Sequence, residues 1–173
     1  MHRGQRGFII FVMYMTTGML GVYVTLYQYT ILSIAQGFAV DALVMGAMIG
    51  VQYFGMSVPP LFIGPAGARF GKKKLMLASC LLIAAGALLV SLSHHIAVFI
   101  IAAFIIGAGF SVTEATASAV LSDEFPEASR RHLNFSQVTF SMGALVGPLL
   151  AEALINRGIH YLRLYLYCGG LHR

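Results

Sequence analysis

Charged side chains are scarce in this sequence. Only 10% of its 173 residues are Asp, Glu, Lys or Arg, while 58% are hydrophobic, whereas a soluble domain carries roughly 25% charged residues. So little charge cannot cover a water-facing surface. Segments 7–40 and 42–68 contain no charged residue, and each exceeds the ~20 residues that a helix needs to cross a bilayer. The composition excludes a soluble domain and predicts a multi-pass membrane protein.

Residues that carry enzyme chemistry or bind metals are also few. Cys80 and Cys168 lie in apolar segments without the spacing of a metal site. No Ser-His-Asp arrangement and no phosphate-binding loop is present, and most of an apolar segment separates His94 and His95 from Glu114. The net charge of +5 is spread over short loops, which does not fit a nucleic-acid interface. We therefore predict no enzyme, no cofactor, no metal site and no nucleic-acid partner.

The apolar segments predict an all-α membrane protein with five complete transmembrane helices and a partial sixth. The predicted spans are 8–34, 42–63, 75–93, 96–121 and 134–155, and a remnant at 161–170 is too short to cross. Lipid offers no hydrogen bonds to the backbone, so spans of this length must be helices. Because the connections are short, consecutive helices should be antiparallel neighbours.

The distribution of basic residues predicts the orientation in the membrane. If the N-terminus is cytoplasmic, eight basic residues fall on the inner side and two on the outer side. The inner set is Arg3, Arg6, Arg69, Lys72, Lys73, Lys74, Arg130 and Arg131, and the outer set is Arg157 and Arg163. An excess of this kind marks the cytoplasmic side. We expect a cell-membrane protein, in a bacterial inner membrane, with its N-terminus inside.

The chain also repeats itself weakly at an offset of 88 residues. This offset pairs Gly21 with Gly109 and Gly55 with Gly143, and it places span one on span four and span two on span five. Three spans per copy invert the second copy in the membrane. The repeat therefore predicts the three-plus-three inverted architecture of many secondary transporters.

Residues 64–74 (Gly-Pro-Ala-Gly-Ala-Arg-Phe-Gly-Lys-Lys-Lys) carry the most specific motif. They resemble the signature Gly-x-x-x-Asp-Arg-x-Gly-Arg-Arg-Arg between helices two and three of major facilitator superfamily transporters. The resemblance implies a cytoplasmic gating loop formed by Gly64, Arg69, Gly71, Lys72 and Lys73. The acidic position of the signature is occupied by Ala68. It also implies that residues 1–173 are an incomplete N-terminal bundle whose partners are the lipid bilayer and a missing C-terminal half.

Glu114 is the only acidic residue deep within an apolar span. A charge at the bilayer centre costs about 2.5–3.5 kcal/mol on insertion scales, so such a residue normally faces a cavity or a partner. Helical spacing puts it on one face with Gly107, Ser111 and Ser118. Two further polar faces accompany it: Tyr14, Thr17, Gly21, Thr25 and Gln28 on span one, and Asn134, Gln137 and Ser141 on span five. Both faces fit a substrate path and helix–helix hydrogen bonding equally well.

A second resemblance concerns the substrate. Residues 114–118 (Glu-Ala-Thr-Ala-Ser) and 133–137 (Leu-Asn-Phe-Ser-Gln) are similar to segments of the fucose permease branch of sugar–proton symporters. The resemblance implies a secondary transporter that takes up a sugar or similar small polar solute with protons by alternating access. Glu114 and Gln137 would bind the solute, with Asn134 close by, and we add Gln28 and Thr25 from span one. The branch also carries an aspartate in helix one, where this chain has no acid before Asp41.

Two alternatives remain open from the sequence. Residues 143–152 (Gly-Ala-Leu-Val-Gly-Pro-Leu-Leu-Ala-Glu) partly resemble the signature of drug–proton antiporters of the same superfamily, which ends Gly-Pro-x-x-Gly-Gly. The final pair is here Ala151 and Glu152. A non-transporting membrane bundle, or an inactive truncated gene product, is the alternative of another class.

The topology can be tested by labelling. In a chain with Cys80 and Cys168 replaced by alanine, a cysteine placed at His94 should react with a membrane-impermeant maleimide in intact cells. A cysteine at Ala128 should react only after the cells are permeabilised, because the basic residues keep that turn inside. Labelling of position 128 in intact cells would show that the orientation is inverted.

Overall fold

The structure is a computed structural model that describes residues 3–157, with the side chains of 3–5, 64–66 and 68 left out of the description. Within this part, six α-helices and one short 3-10 turn follow one another. They are α1 (Arg3–Gly37), α2 (Ala42–Ser57), α3 (Pro60–Phe70), α4 (Lys72–Ser91), α5 (Ile96–Glu124), the 3-10 turn (Pro126–Ala128) and α6 (Ser129–Asn156). Five stretches are long and apolar enough to span a membrane. The all-α class and the five spans are confirmed; the partial sixth, 161–170, lies outside the described residues.

Two consecutive prolines divide the second span into α2 and α3. Pro59 and Pro60 have no backbone N–H to donate, which interrupts the ladder of α-helical hydrogen bonds after Ser57. The chain bridges the break with tighter bonds, Leu61 N–H to Val58 O (3.3 Å) and Phe62 N–H to Pro59 O (2.9 Å). The two helices together form the span Ala42–Ile63.

The segment interpreted as a gating loop is mostly helical. α3 continues to Phe70 and α4 begins at Lys72, so only Gly71 separates the two helices. Its φ of 82° lies in the region that glycine adopts without steric cost. The connection between the two helices is therefore shorter than the loop predicted over 64–74. The glycines at 64 and 67 indicated a turn, but both lie inside α3, where the tertiary fold overrides their low helix propensity.

Helices α5 and α6 are longer on the predicted cytoplasmic side than their apolar cores. α5 ends at Glu124 rather than near 121, and α6 begins at Ser129 rather than 134. Arg130 and Arg131 are thus helical and not part of a loop. The hydropathy pattern marks only the part of a helix that sits in hydrocarbon, whereas the backbone hydrogen bonds continue into the interface.

Helix α5 is the centre of the bundle and has the largest buried fraction of the five spans. α2 packs on one side of it and α4 on another, while α1 packs mainly against α6 and also touches α5. Phe99, Ala102 and Ile106 of α5 are fully buried. The Phe99 ring stacks on Tyr27 of α1, with 6.2 Å between the ring centroids.

Glycines let the helix backbones approach each other closely. On α1 and α6, a Cβ at Gly21 would collide with the carbonyl of Phe140, and one at Gly143 with the carbonyl of Gly18. The same two contacts recur between α5 and α2, where a Cβ at Gly107 would meet Gln52 O and one at Gly55 would meet Phe104 O. Close backbone approach at small residues is a common way for membrane helices to associate.

The repeated pair of glycine contacts shows which residues of the two copies of the internal repeat correspond. Gly143 and Gly55 are 88 residues apart, as predicted, but the partner of Gly21 in the second copy is Gly107, 86 residues on. Gly109, which the ungapped offset paired with Gly21, packs instead against Ser79 and Ile83 of α4. The offset was therefore wrong by two residues for the first helix of each copy, because an ungapped comparison cannot absorb a change in length between spans.

The glycine contacts predict a stability difference. Gly143→Ala should destabilise the bundle by about 1–3 kcal/mol, the usual cost of forcing an extra methyl group into a packed interface. Gly50→Ala is the matched control, since nothing lies within 4 Å of a Cβ at that position, and it should be neutral or stabilising because alanine favours helix. The midpoint of detergent-induced unfolding, followed by circular dichroism, measures both. Equal midpoints for the two variants would contradict the packing.

Candidate functional site

Glu114 lies half-buried on α5, on the face turned towards α1, α2 and α6. One turn earlier, the ring of Phe110 contacts Tyr23 of α1 at 6.5 Å and Phe140 of α6 at 6.4 Å. Two turns earlier, Gly107 packs on α2. α4 approaches α5 from a different side, at Gly109. Because residues at these spacings share a face of the helix, Glu114 lies on the same face of α5 as Phe110 and Gly107.

Among the described residues 3–157, Glu114 makes no hydrogen bond or ion pair with another helix. Ser111, on the same face, is buried and donates to the carbonyl of Ala108 on its own helix (3.2 Å). Ser118 is half-buried. The face predicted from helical spacing therefore contains one carboxylate whose hydrogen-bonding capacity is still available to a ligand.

Side-chain hydrogen bonds also join α1 to α2 next to Phe110. The buried amide of Gln52 donates to the hydroxyl of Tyr23 (3.1 Å), the same tyrosine whose ring contacts Phe110. The Tyr27 hydroxyl donates to Met48 O, also at 3.1 Å. The analysis of the sequence did not single out Tyr23, Gln52, Phe110 or Phe140. Only Gln52 gave a signal, as the single amide of the uncharged segment 42–68.

The polar face of α1 is mainly a packing surface. The Thr25 hydroxyl donates to the Gly21 carbonyl on its own helix (3.1 Å), and its oxygen fills the space beside Gly147 of α6. Thr17 likewise donates to Met13 O (2.9 Å). These positions fit the helix–helix interpretation. Gln28 differs, because it is exposed and donates to the Tyr53 hydroxyl of α2 (3.1 Å).

Asn134 and Gln137 are exposed on α6 and line separate shallow depressions. Asn134 shares its depression with Glu127, Arg130 and Arg131, and Gln137 lies beside Ser141 and Met142. In the described part of the chain, no hydrogen bond joins either amide to Glu114. The two amides therefore lie in different depressions of the described structure, and their sharing a site with Glu114 stays a prediction.

The junction between α3 and α4 is joined to α5. Lys72 donates from Nζ to the carbonyl of Ala119 (2.8 Å) and forms an ion pair with the carboxylate of Asp123. Arg69 is exposed and lies over the ring of Phe70 at 5.4 Å, Lys73 is exposed, and Gly64 lies within α3. Among the basic residues assigned to the gate, Lys72 is thus the one that links α4 to α5 in the described structure. Its acidic partner is Asp123 on α5 rather than a residue at position 68.

Comparison with known proteins supplies the family. A sequence model of the Major Facilitator Superfamily matches residues 7–171. The chloramphenicol resistance protein CraA of Acinetobacter baumannii is 29% identical over 132 residues, which cover 76% of this chain and 32% of that protein. The chain thus spans about a third of the length of this relative. Neither finding supports the sugar branch predicted from residues 114–118 and 133–137.

The Lys72 contacts predict a local change in accessibility. Lys72→Ala should increase the rate at which a cysteine at Ala119 reacts with a maleimide, because the end of α5 loses its link to α4. A partly exposed pair is worth about 0.2–1 kcal/mol, so the increase should be roughly 1.4-fold to 5-fold. Lys73→Ala is the control. This substitution also removes one positive charge, but Lys73 is exposed and makes no hydrogen bond or ion pair with α5 in the described structure. Equal rates in the two variants would show that Lys72 does not close this end.

Proposed function

The chain belongs to the major facilitator superfamily, and from that premise we propose that it forms one helix bundle of a proton-coupled exporter of small aromatic amphiphiles. The superfamily consists of membrane transporters and not enzymes, which favours a part in transport over a non-transporting bundle. The drug–proton antiporter, held as the alternative to sugar uptake, becomes the main proposal. Chloramphenicol is the first compound to test, because the relative named above is a chloramphenicol resistance protein.

The observation that carries the proposal is the position of Glu114 next to an aromatic cluster. Phe110, one turn away, contacts both Tyr23 and Phe140. Rings arranged in this way can hold a flat apolar group through offset or edge-to-face contacts. The carboxylate can at the same time accept hydrogen bonds from a hydroxyl or amide of the same ligand. An aromatic compound with polar groups at one end suits both parts of the site.

The same features favour export of amphiphiles over uptake of a sugar. A sugar carries hydroxyl groups around its whole ring and needs several polar partners, since each buried polar group without a partner costs about 1–3 kcal/mol. The face beside Glu114 offers aromatic rings instead, and the amides of Asn134 and Gln137 lie in other depressions. Sugar–proton symport is therefore not the function that this geometry supports best.

Coupling to protons follows from the chemistry of a carboxylate that has no partner in the described bundle. The ionised form accepts hydrogen bonds from the ligand, whereas the protonated form loses part of that capacity and carries no charge in the membrane. A proton and a ligand therefore compete for Glu114. Binding of a proton from outside would release the compound, and loss of the proton to the cytoplasm would allow the next one to bind, which amounts to antiport.

The test joins this chain to the C-terminal part of CraA and measures proton-driven chloramphenicol export in a host without other exporters. Glu114→Gln keeps the shape of the side chain but cannot titrate, so export should fall at least about tenfold, the effect of losing ~1.4 kcal/mol of coupling. Glu152→Gln is the control, because Glu152 is an exposed carboxylate at the far end of α6 and should export like the parent. Export by Glu114→Gln at the parental rate would rule out Glu114 as the coupling residue.

A further inference from the structure

His132 occupies a structured position between three parts of the chain. Its Nδ1 lies 2.8 Å from the hydroxyl of Tyr14 on α1, in a partly buried hydrogen bond. Its ring also lies 4.7 Å from the ring of Phe125, which connects α5 to the 3-10 turn. The Tyr14 ring in turn stacks on Phe135, one turn further along α6, at 6.3 Å. His132 thus joins α1 and α6 at the end of the bundle where α5 also terminates.

The hydrogen bond to Tyr14 can form in both charge states of the histidine. A neutral imidazole either accepts a hydrogen bond from the tyrosine hydroxyl or donates one to it, depending on the tautomer, whereas the imidazolium donates and the tyrosine oxygen accepts. Binding a proton therefore reverses or keeps the direction of the bond without breaking it. The face of the Phe125 ring can further stabilise a cation at this distance.

Charged groups of both signs lie on the elements that meet at this site. Arg6 of α1 lies over the Phe125 ring at 6.0 Å, and Arg131 lies over Phe135 at 5.8 Å. Arg130 is the neighbouring basic residue of α6, while Glu124 and Glu127 lie at the end of α5 and in the 3-10 turn. The arginines and the N-terminal end of α6 oppose a charge on His132, and the carboxylates and the aromatic face favour it.

We propose that His132 and Tyr14 form a second proton-binding site of this protein, separate from Glu114, at the predicted cytoplasmic end of α1 and α6. The site takes a proton from water onto a ring nitrogen and forms no other bond. Its link to transport rests on the proposed function, because the pair ties together the two helices whose Phe140 and Tyr23 rings contact Phe110 beside Glu114. A hydrogen bond donated by the imidazolium is stronger than one made by the neutral ring. Protonation of His132 would therefore strengthen the contact between these helices at low cytoplasmic pH, while Glu114 exchanges ligand for proton.

The first experiment detects the proton itself and does not depend on transport. The purified 173-residue chain, labelled with nitrogen-15 at histidine in detergent, is titrated from about pH 5.5 to about pH 8.5 by NMR, a range centred near the ordinary titration of histidine. The signal absent from His132→Gln identifies His132, and it should titrate within this range. Tyr14→Phe should displace the midpoint of that titration, whereas His94→Gln, which changes an exposed residue of the turn between α4 and α5, should not. A His132 signal that stays constant, or a midpoint unaffected by Tyr14→Phe, would overturn the proposal.

The second experiment uses the fused exporter and varies the cytoplasmic pH. His132→Gln should remove most of the dependence of the export rate on pH near neutrality while keeping at least about half of the maximal rate, since glutamine can still hydrogen bond to Tyr14. Glu114→Gln should lose export at every pH. A parental pH profile in His132→Gln would show that the site has no part in transport. If the parent itself exports nothing, the proposed function fails, and the NMR titration still decides whether His132 binds a proton.

Discussion

Close contact between helix backbones at glycine is the constraint on which the rest of the structure depends. Helices in lipid gain little from burying apolar side chains, because the surrounding acyl chains are equally apolar. Their association depends on how closely they can pack. Gly143 against Gly18 and Gly21 against Phe140 hold α1 to α6, and Gly107 against Gln52 holds α5 to α2. These contacts fix which face each helix turns inwards, and so decide which polar side chains can meet.

That constraint sorts the polar residues into two groups. Hydroxyls such as those of Thr17 and Thr25 donate to carbonyls of their own helix. Their hydrogen-bonding needs are thus met within the helix, even where a neighbouring backbone packs closely. Glu114 cannot be satisfied in this way, because a carboxylate has no proton to donate when ionised. It lies on the same face of α5 as the glycine contact to α2 at Gly107 and the aromatic contacts of Phe110 to α1 and α6, one turn beyond Phe110. In the proposed exporter, this leaves Glu114 as the polar group that can bind a ligand or a proton.

The ends of the helices follow a different rule from their centres. Lys72 binds the end of α5 through Ala119 and Asp123, and Tyr14 binds His132 at the start of α6. Water and lipid headgroups are close there, so ionisable groups cost less than at the bilayer centre. Contacts of this type are weak enough to break and re-form. The C-terminal end of α5 and the N-terminal end of α6 carry these contacts and are therefore suitable places for changes in conformation. The glycine contacts keep each helix pair together.

The sequence by itself determined the fold class and the five spans, and it singled out residues 64–74 and Glu114 as candidates. Each of these follows from local physics: the length of an apolar run set against bilayer thickness, the scarcity of charge, and the cost of one acid in hydrocarbon. The loop over 64–74 is shorter and α6 starts earlier than the apolar pattern indicates, because helical hydrogen bonds continue past the apolar run. The repeat register differs because an ungapped offset ignores changes in span length. Only the tertiary structure decided that Lys72 pairs with Asp123, that Thr25 packs against Gly147, and that Tyr23, Phe110 and Phe140 meet beside Glu114. These partners are far apart along the chain, and which of them touch depends on the rotation of each helix about its axis. Close backbone contacts at a few glycines set that rotation, and the hydropathy pattern of nearly uniform apolar helices does not contain it.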